Sequence, residues 1–177
     1  MRLFNEKSYD SSLVFVRTKS KARRLSKMLV QKGYNATSLH GDLNQRQRDV
    51  VMDKYRKGRV NILVATDVAS RGLDVYNIDA VVNYDIPEDS DSYVHRIGRT
   101  GRANQTGEAY TLLDPSERKK MHRIIHSTNT EVQSIMLQDP TDMETDAKKI
   151  QSGSKTAYPN KRSRPRRRHR KKKQANK

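Results

Sequence analysis

The sequence predicts an α/β domain: a mostly parallel sheet with helices on both faces, followed by a disordered basic tail. Three observations carry that expectation. Short continuous apolar runs recur along the first part of the chain, and they are of the kind that a strand buried on both faces requires. Segments with apolar residues at helical spacing alternate with them. Strand, helix and strand joined by short links imply right-handed crossovers and a parallel sheet. After about residue 137 the apolar signal fades and the composition turns polar, then basic.

Taken in order, Leu3 and Phe4 precede a polar turn and read as the end of a helix whose beginning is absent. Residues 12–16, SLVFV, form the first strand. Thr18 or Ser20 can cap the next helix, in which Ala22, Leu25 and Leu29 recur on one face, with Gly33 just past its end. Residues 36–39 are a second strand, and His40, Gly41 and Asp42 the turn leaving it. Asn44 and Gln47 have the spacing of a capping box for a helix that buries Val51, Met52 and Tyr55 and stops at Gly58. Residues 61–65 are a third strand and run directly into Thr66 and Asp67. Residues 80–84 are a fourth, broken by Asp85, Ile86 and Pro87, because proline cannot continue a central ladder. A helix begins at Ser90 or Asp91, a fifth strand covers 107–113, and a last helix covers 116–126 with Met121, Ile124 and Ile125 inward.

Charge is distributed unevenly. The net charge is +17, all 20 acidic residues lie before residue 147, and residues 161–177 hold 11 of the 37 lysines and arginines. The body is mildly basic and the tail intensely so, which points to a polyanionic partner such as nucleic acid. Absence of cysteine excludes disulfides, thiolate zinc sites and a cysteine nucleophile. No apolar run approaches the roughly 18 residues of a membrane span, and the N-terminus lacks an apolar signal core, so the expectation is a soluble, cytoplasmic protein without a membrane partner.

The stretch YVHRIGRTGR at 93–102 spaces Arg96, Arg99 and Arg102 by three, near one face of a short helix or helical turn. A guanidinium is a rigid, permanently charged fork that matches phosphate oxygens. Gly98 and Gly101 leave room for a ligand or a second surface to approach the backbone. In open parallel sheets, ligands sit beyond the carboxyl ends of the strands. Arg17, Thr18, Gly41, Thr66 and Asp67 all follow such ends.

HRIGRTGR resembles the last motif of the DEAD-box RNA helicases. With LVFVRTK at 13–19, LHGDLNQRQR at 39–48, VATDVASRGLDV at 64–75 and VVNYDIP at 81–87, residues 13 to about 136 resemble, in order and spacing, the second RecA-like domain of that family. The phosphate loop GxxxxGK[ST] and the DEAD motif, which belong to the family's first domain, do not occur in this chain. The expected organisation is a RecA-like helicase C-terminal domain at 1–137, a polar linker at 138–158 and a basic disordered tail at 159–177.

The resemblance implies roles residue by residue. Arg17, Thr18, Gly41 and Thr66 would touch the RNA backbone, with Gln45 and Arg48 of the QxxR element; composition alone allows Gln45 and Arg48 simply to solvate a helix. Asp74 would accept a hydrogen bond from the ATP ribose. Arg99 and Arg102 would be arginine fingers, with Arg102 nearest the γ-phosphate. Asp67, Arg71, His95 and Arg96 would serve interdomain coupling, although a packed or hydrogen-bonded His95 is an alternative. ATP with Mg²⁺ is the implied cofactor, with adenine and metal held by the first domain and no metal ligand in this chain. RNA, bound without sequence preference, and the N-terminal RecA-like domain are the implied partners of a monomer. The intact parent would be an RNA-dependent ATPase, and the isolated chain inactive. The alternative from another class is a stand-alone, non-enzymatic RNA-binding module.

Overall fold

In the computed structural model of the chain, the described residues are 3–4, 7–71, 75, 78–101 and 106–135. Five strands form one sheet: β1 (Ser12–Phe15), β2 (Ala36–Leu39), β3 (Ile62–Ala65), β4 (Ala80–Asn83) and β5 (Glu108–Thr111). Their order is β2-β3-β1-β4-β5 and every pairing is parallel, as the alternation predicts. Ser12 faces both Ile62 and Ala80, so the carboxyl ends of the three central strands are in register.

Helices α1 (Lys19–Gln31), α2 (Gln45–Arg56), α3 (Asp67–Ser70), α4 (Ser90–Ile97) and α5 (Arg118–Thr128) connect or follow the strands. Local chemistry sets their starts. Thr18 caps α1 by accepting the Lys21 N–H, and Asn44 and Gln47 close the anticipated capping box on α2. Asp89 caps α4 by accepting the Ser92 N–H. The last helix begins later than its pattern suggests, because Asp114 and Glu117 form a capping box around a 3-10 turn at Pro115–Glu117. Strand β5 is shorter than expected: it ends at Thr111, and Leu113 is exposed beyond it.

Alternation along the strands divides the core. Leu13, Phe15, Leu63 and Val81 pack with Met52 and Tyr55 of α2 and Ala69 of α3 on one face. Val14, Val16, Val64 and Val82 pack with Ala22, Leu25 and Leu29 of α1 on the other. Leu13 and Phe15 are each 1% exposed, and fully burying such a side chain is worth about 1.5–3 kcal/mol. On the α1 face, Leu3, Phe4, Tyr110 and Leu112 complete the cover. There the N-terminal segment is held by Lys7 and Tyr9, which both donate to the Glu108 carboxylate. Ile86 and Tyr93 meet Met121 and Ile124 in a third cluster under α4 and α5.

All the elements above belong to one compact unit, Met1–Val132. The expected linker and tail at 138–177 lie outside the described residues. No helix among the described residues is long and apolar enough to cross a membrane.

Candidate nucleic-acid interface

Strand order converts scattered sequence positions into one row. Gly41 follows β2, Thr66 follows β3, and Arg17 and Thr18 follow β1, and these three strands are immediate neighbours. With strands about 4.8 Å apart, the row spans roughly 10 Å, the reach of a few nucleotides of backbone. Two of its members are prepared by local structure. The Arg17 N–H donates to Asp85 Oδ2 at 2.8 Å, while its Nε lies 3.0 Å from Glu88 Oε1. Thr66 stands at the N-cap of α3 without spending its hydroxyl on the cap. Thr18, by contrast, uses its hydroxyl to cap α1. Gly41 is exposed, and a Cβ built there would meet nothing within 4 Å, so the domain's own packing does not demand glycine.

Beside this row, Gln45 and Arg48 lie on α2. Gln45 is exposed and donates to Asp49 one turn on, at 2.8 Å. Arg48 donates from Nη2 to the carbonyl of Ala69 at 2.9 Å, so α2 is tied to α3 across the end of the sheet. His40 is 4% exposed just before Gly41, and its Nδ1 has no hydrogen-bond partner. Burial, then the Arg23 charge, lowers its pKa below the usual histidine value. Lys19 and Arg23 both meet Asp42 in the same turn, which holds that carboxyl below the ordinary range, chiefly through the hydrogen bond from Lys19.

The arginine stretch divides. Arg96 is 3% exposed and turns inward: Nε and Nη2 each donate to Asp67 at 2.7 Å, and Nη1 donates to Asn83 Oδ1 at 3.1 Å and the Asp85 carbonyl at 2.8 Å. Its guanidinium also lies 5.0 Å from the centre of the Phe15 ring. Helix α4 stops at Ile97, so Arg99 falls in the turn beyond it, with its N–H donating to the Arg96 carbonyl at 3.2 Å. The Arg99 carbonyl accepts from Ile78 at 3.3 Å, and Thr100 forms a parallel bridge with Ile78 and donates its hydroxyl to the Ile78 carbonyl. Ile78 precedes β4, so this turn flanks the amino end of that strand, whereas the row flanks carboxyl ends. Along a four-residue strand those ends are roughly 13 Å apart.

Asp67 and Arg96, both expected in interdomain coupling, are therefore brought together within the domain. Arg71 is exposed at the end of α3, and His95 is exposed on α4 rather than packed. Asp74 and Arg102 lie outside the described residues. Three residues of the site are not among those that the sequence singles out as functional. Asn83, fully buried, joins Arg96 to Thr111 Oγ1. Asp85 accepts from Arg17 and from Lys21 Nζ; burial pushes its carboxyl pKa up, but those hydrogen bonds hold it below the usual carboxylate range. Gly107 abuts Thr100 and Gly101 so closely that an added Cβ would lie 2.7 Å from the Gly101 nitrogen. The legible signal was a polar pair, Asn83 and Asp85, ending an otherwise apolar buried run, because buried polar groups need partners.

The guanidinium, ammonium, hydroxyl and backbone N–H groups gathered here are of the kind that suits phosphate oxygens. Among the described residues no three His, Asp or Glu side chains converge as a metal site would require.

Comparison with known proteins gives one consistent answer. Residues 1–104 match the family described as the helicase conserved C-terminal domain. The chain is 48% identical over 140 residues to the ATP-dependent RNA helicase CshA of Limosilactobacillus reuteri, covering 79% of this chain and 28% of that protein. It thus spans little more than a quarter of that relative. Among solved structures, a DEAD box protein from Methanococcus jannaschii aligns with a TM-score of 0.71 at 39% identity, over 76% of this chain and 37% of that one. The Escherichia coli DEAD-box protein SrmB, bound to the regulator of ribonuclease activity RraA, aligns with a TM-score of 0.72 at 30% identity, over 90% of this chain and 87% of that one.

Proposed function

This chain belongs to the DEAD-box RNA helicases, as their RecA-like C-terminal domain, and on that premise we propose that it is the second half of a two-domain, ATP-dependent RNA motor. The observation that supports the proposal is the row at three adjoining strand ends, which brings together the Arg17 guanidinium, the Gly41 main chain and the Thr66 hydroxyl, with Thr18 beside them. Contacts of this kind position a strand without reading its sequence. Arg48 and Gln45 extend the row along α2.

Nucleotide contact belongs to the other group. Arg99, and Arg102 after it, serve as arginine fingers, and Asp74 holds the ribose. ATP, bound between this domain and an N-terminal RecA-like partner, would supply the β–γ phosphoanhydride whose hydrolysis, with the γ-phosphoryl group passing to water and ADP leaving, drives the cycle. Arginines delivered from a second domain stabilise the charge that spreads over equatorial phosphoryl oxygens, a device worth ~10³–10⁵ in rate. Mg²⁺ and the adenine are assigned to the partner domain, because the donors here suit phosphate. The domain alone is then a poor ATPase, and closure of the two halves on RNA assembles the site.

The test is to fuse the chain to the first RecA-like domain of a relative and measure ATP turnover with and without single-stranded RNA. Arg99→Ala and Arg102→Ala should each lower the maximal rate by orders of magnitude and change RNA affinity little, while Arg48→Ala should weaken RNA binding first. A rate within about threefold of the parent for Arg102→Ala, under 1 kcal/mol of barrier, removes the finger assignment. RNA binding by a parent fusion that shows no RNA-stimulated turnover would favour a purely RNA-binding module.

A further inference from the structure

We infer that Asp85 is a positioning residue that ties the RNA-facing loop between β1 and α1 to the buried guanidinium of Arg96, so that occupancy at Arg17 is felt at the base of the arginine stretch. The inference rests on the RNA reading of the strand-end row. Asp85 is the one described residue that bonds to both groups. Its Oδ2 accepts the Arg17 N–H at 2.8 Å, Oδ1 accepts Lys21 Nζ, and its main-chain carbonyl accepts Arg96 Nη1 at 2.8 Å. The N–H groups of Tyr84 and Asp85 both donate to the Phe15 carbonyl, at 3.0 and 3.3 Å, so the ends of β1 and β4 are stapled together at this point.

Arg96 in turn sets the arginine stretch. Its carbonyl accepts the Arg99 N–H, and its side chain is held from three sides by Asp67, Asn83 and Asp85. A movement of the Arg17 main chain, such as a phosphate would produce on binding, must displace the Asp85 carboxylate or be resisted by it. Where the carboxylate is displaced, the change reaches the Asp85 carbonyl and hence Arg96. The second route into Arg96 runs through Thr66 and Asp67, so loss of Asp85 should weaken the response rather than erase it. Coupling of two sites through one shared bonded element is a statement about linked free energies, and it has a direct readout.

The Arg96 Nε–H is buried and bonded to Asp67, so it is suited to observation by NMR. The isotopically labelled full chain is titrated with oligouridylate while the Arg96 Nε–H and the amides of Arg17, Gly41 and Thr66 are followed. In the parent, the Arg96 signal should move with the same midpoint as the three amides. In Asp85→Ala, the Gly41 and Thr66 amides should still respond while most of the Arg96 shift is lost. Lys21→Met, a substitution at a partly exposed position that loosens the carboxylate without removing it, should give an intermediate loss and serves if Asp85→Ala does not fold. An undiminished Arg96 shift in either folded variant, or a still Arg96 signal in a parent whose Arg17 amide responds, overturns the inference alone. If none of the three amides responds to RNA, the RNA reading of the row falls and the inference falls with it.

Discussion

Arg96 meets Asp67 through two parallel bonds of 2.7 Å, Nε to Oδ1 and Nη2 to Oδ2, from a guanidinium that is almost wholly buried. A buried charge is tolerated only when its donors are satisfied, and here Asn83 and the Asp85 carbonyl complete the set. Removing the carboxylate strands the charge, so Asp67→Ala should lower stability by about 3 kcal/mol, the low end of the range for breaking a buried pair because Asp67 itself is 37% exposed. Asp67→Asn, which keeps an acceptor, should lose less. Urea denaturation of both variants checks the order, and equal stability of Asp67→Ala and the parent would show the pair to be dispensable.

Gly107 gives a steric prediction. A Cβ there would fall 1.7 Å from Thr100 Oγ1 and 2.9 Å from Thr100 Cβ, with the Gly101 nitrogen closing the third side. Backbone cannot swing away as a side-chain tip can, so Gly107→Ala must displace the turn that carries Arg99. Overpacking of this kind costs about 1–3 kcal/mol. The double variant Gly107→Ala with Thr100→Ala, which removes the nearest atom, should recover part of the loss. Additive losses in thermal denaturation would argue against the contact.

Much of this architecture was legible because its causes are local. The runs Leu13 to Val16 and Ile62 to Ala65 have no polar interruption of the kind a solvent-facing strand would show, and the box of Asn44 and Gln47 is a signal within four residues. The boundaries that slipped did so for equally physical reasons: β5 lies at the sheet edge, where pairing on one side ends at Thr111, and the box of Asp114 and Glu117 diverts the chain into a 3-10 turn before α5. The arginine spacing of three suggested a common face, but Gly98 ends α4 between Arg96 and Arg99 and sends them apart. What the pattern could not show is partnership across the chain. Asp67 and Arg96 are 29 residues apart, and Arg17 and Asp85 are 68 apart. Only the strand order makes them neighbours.

Acid should weaken the hold on the N-terminal segment. Glu108 accepts from Lys7, Tyr9 and Tyr110, and those hydrogen bonds, Lys7 first, hold its pKa at about 2 against an ordinary 4.5. A carboxylate whose pKa is lowered by folding contributes stability that is fully present above the unfolded value and is lost as pH falls towards the folded one. The window is therefore about pH 4.5 down to about 2. Glu108 is 43% exposed, so solvent screens part of the effect. Melting temperature should fall more steeply across that window in the parent than in Glu108→Gln, which has no charge to lose. Parallel curves would mean that the three contacts do not depend on the ionised carboxylate.

The basic tail makes the most quantitative prediction. Residues 161–177 carry 11 lysines and arginines and no acidic residue. Each phosphate that such a segment neutralises on single-stranded RNA releases counterions, so log affinity falls with log salt at a slope of about 0.7 per contact. Roughly six contacts would give a slope near four. If the strand-end row holds RNA as proposed, it does so through hydroxyl and main-chain groups together with Arg17 and Arg48, which already bond to Glu88 and to the Ala69 carbonyl. Its own salt dependence should accordingly be shallow. If the tail acts as a tether that raises the local concentration of RNA near this weaker site, residues 1–158 should bind single-stranded RNA with a small slope, and the full chain should exceed it most at low salt. Affinities measured across a salt series for both chains decide the matter: matching slopes would mean that the tail does not touch RNA and that its charge serves another purpose.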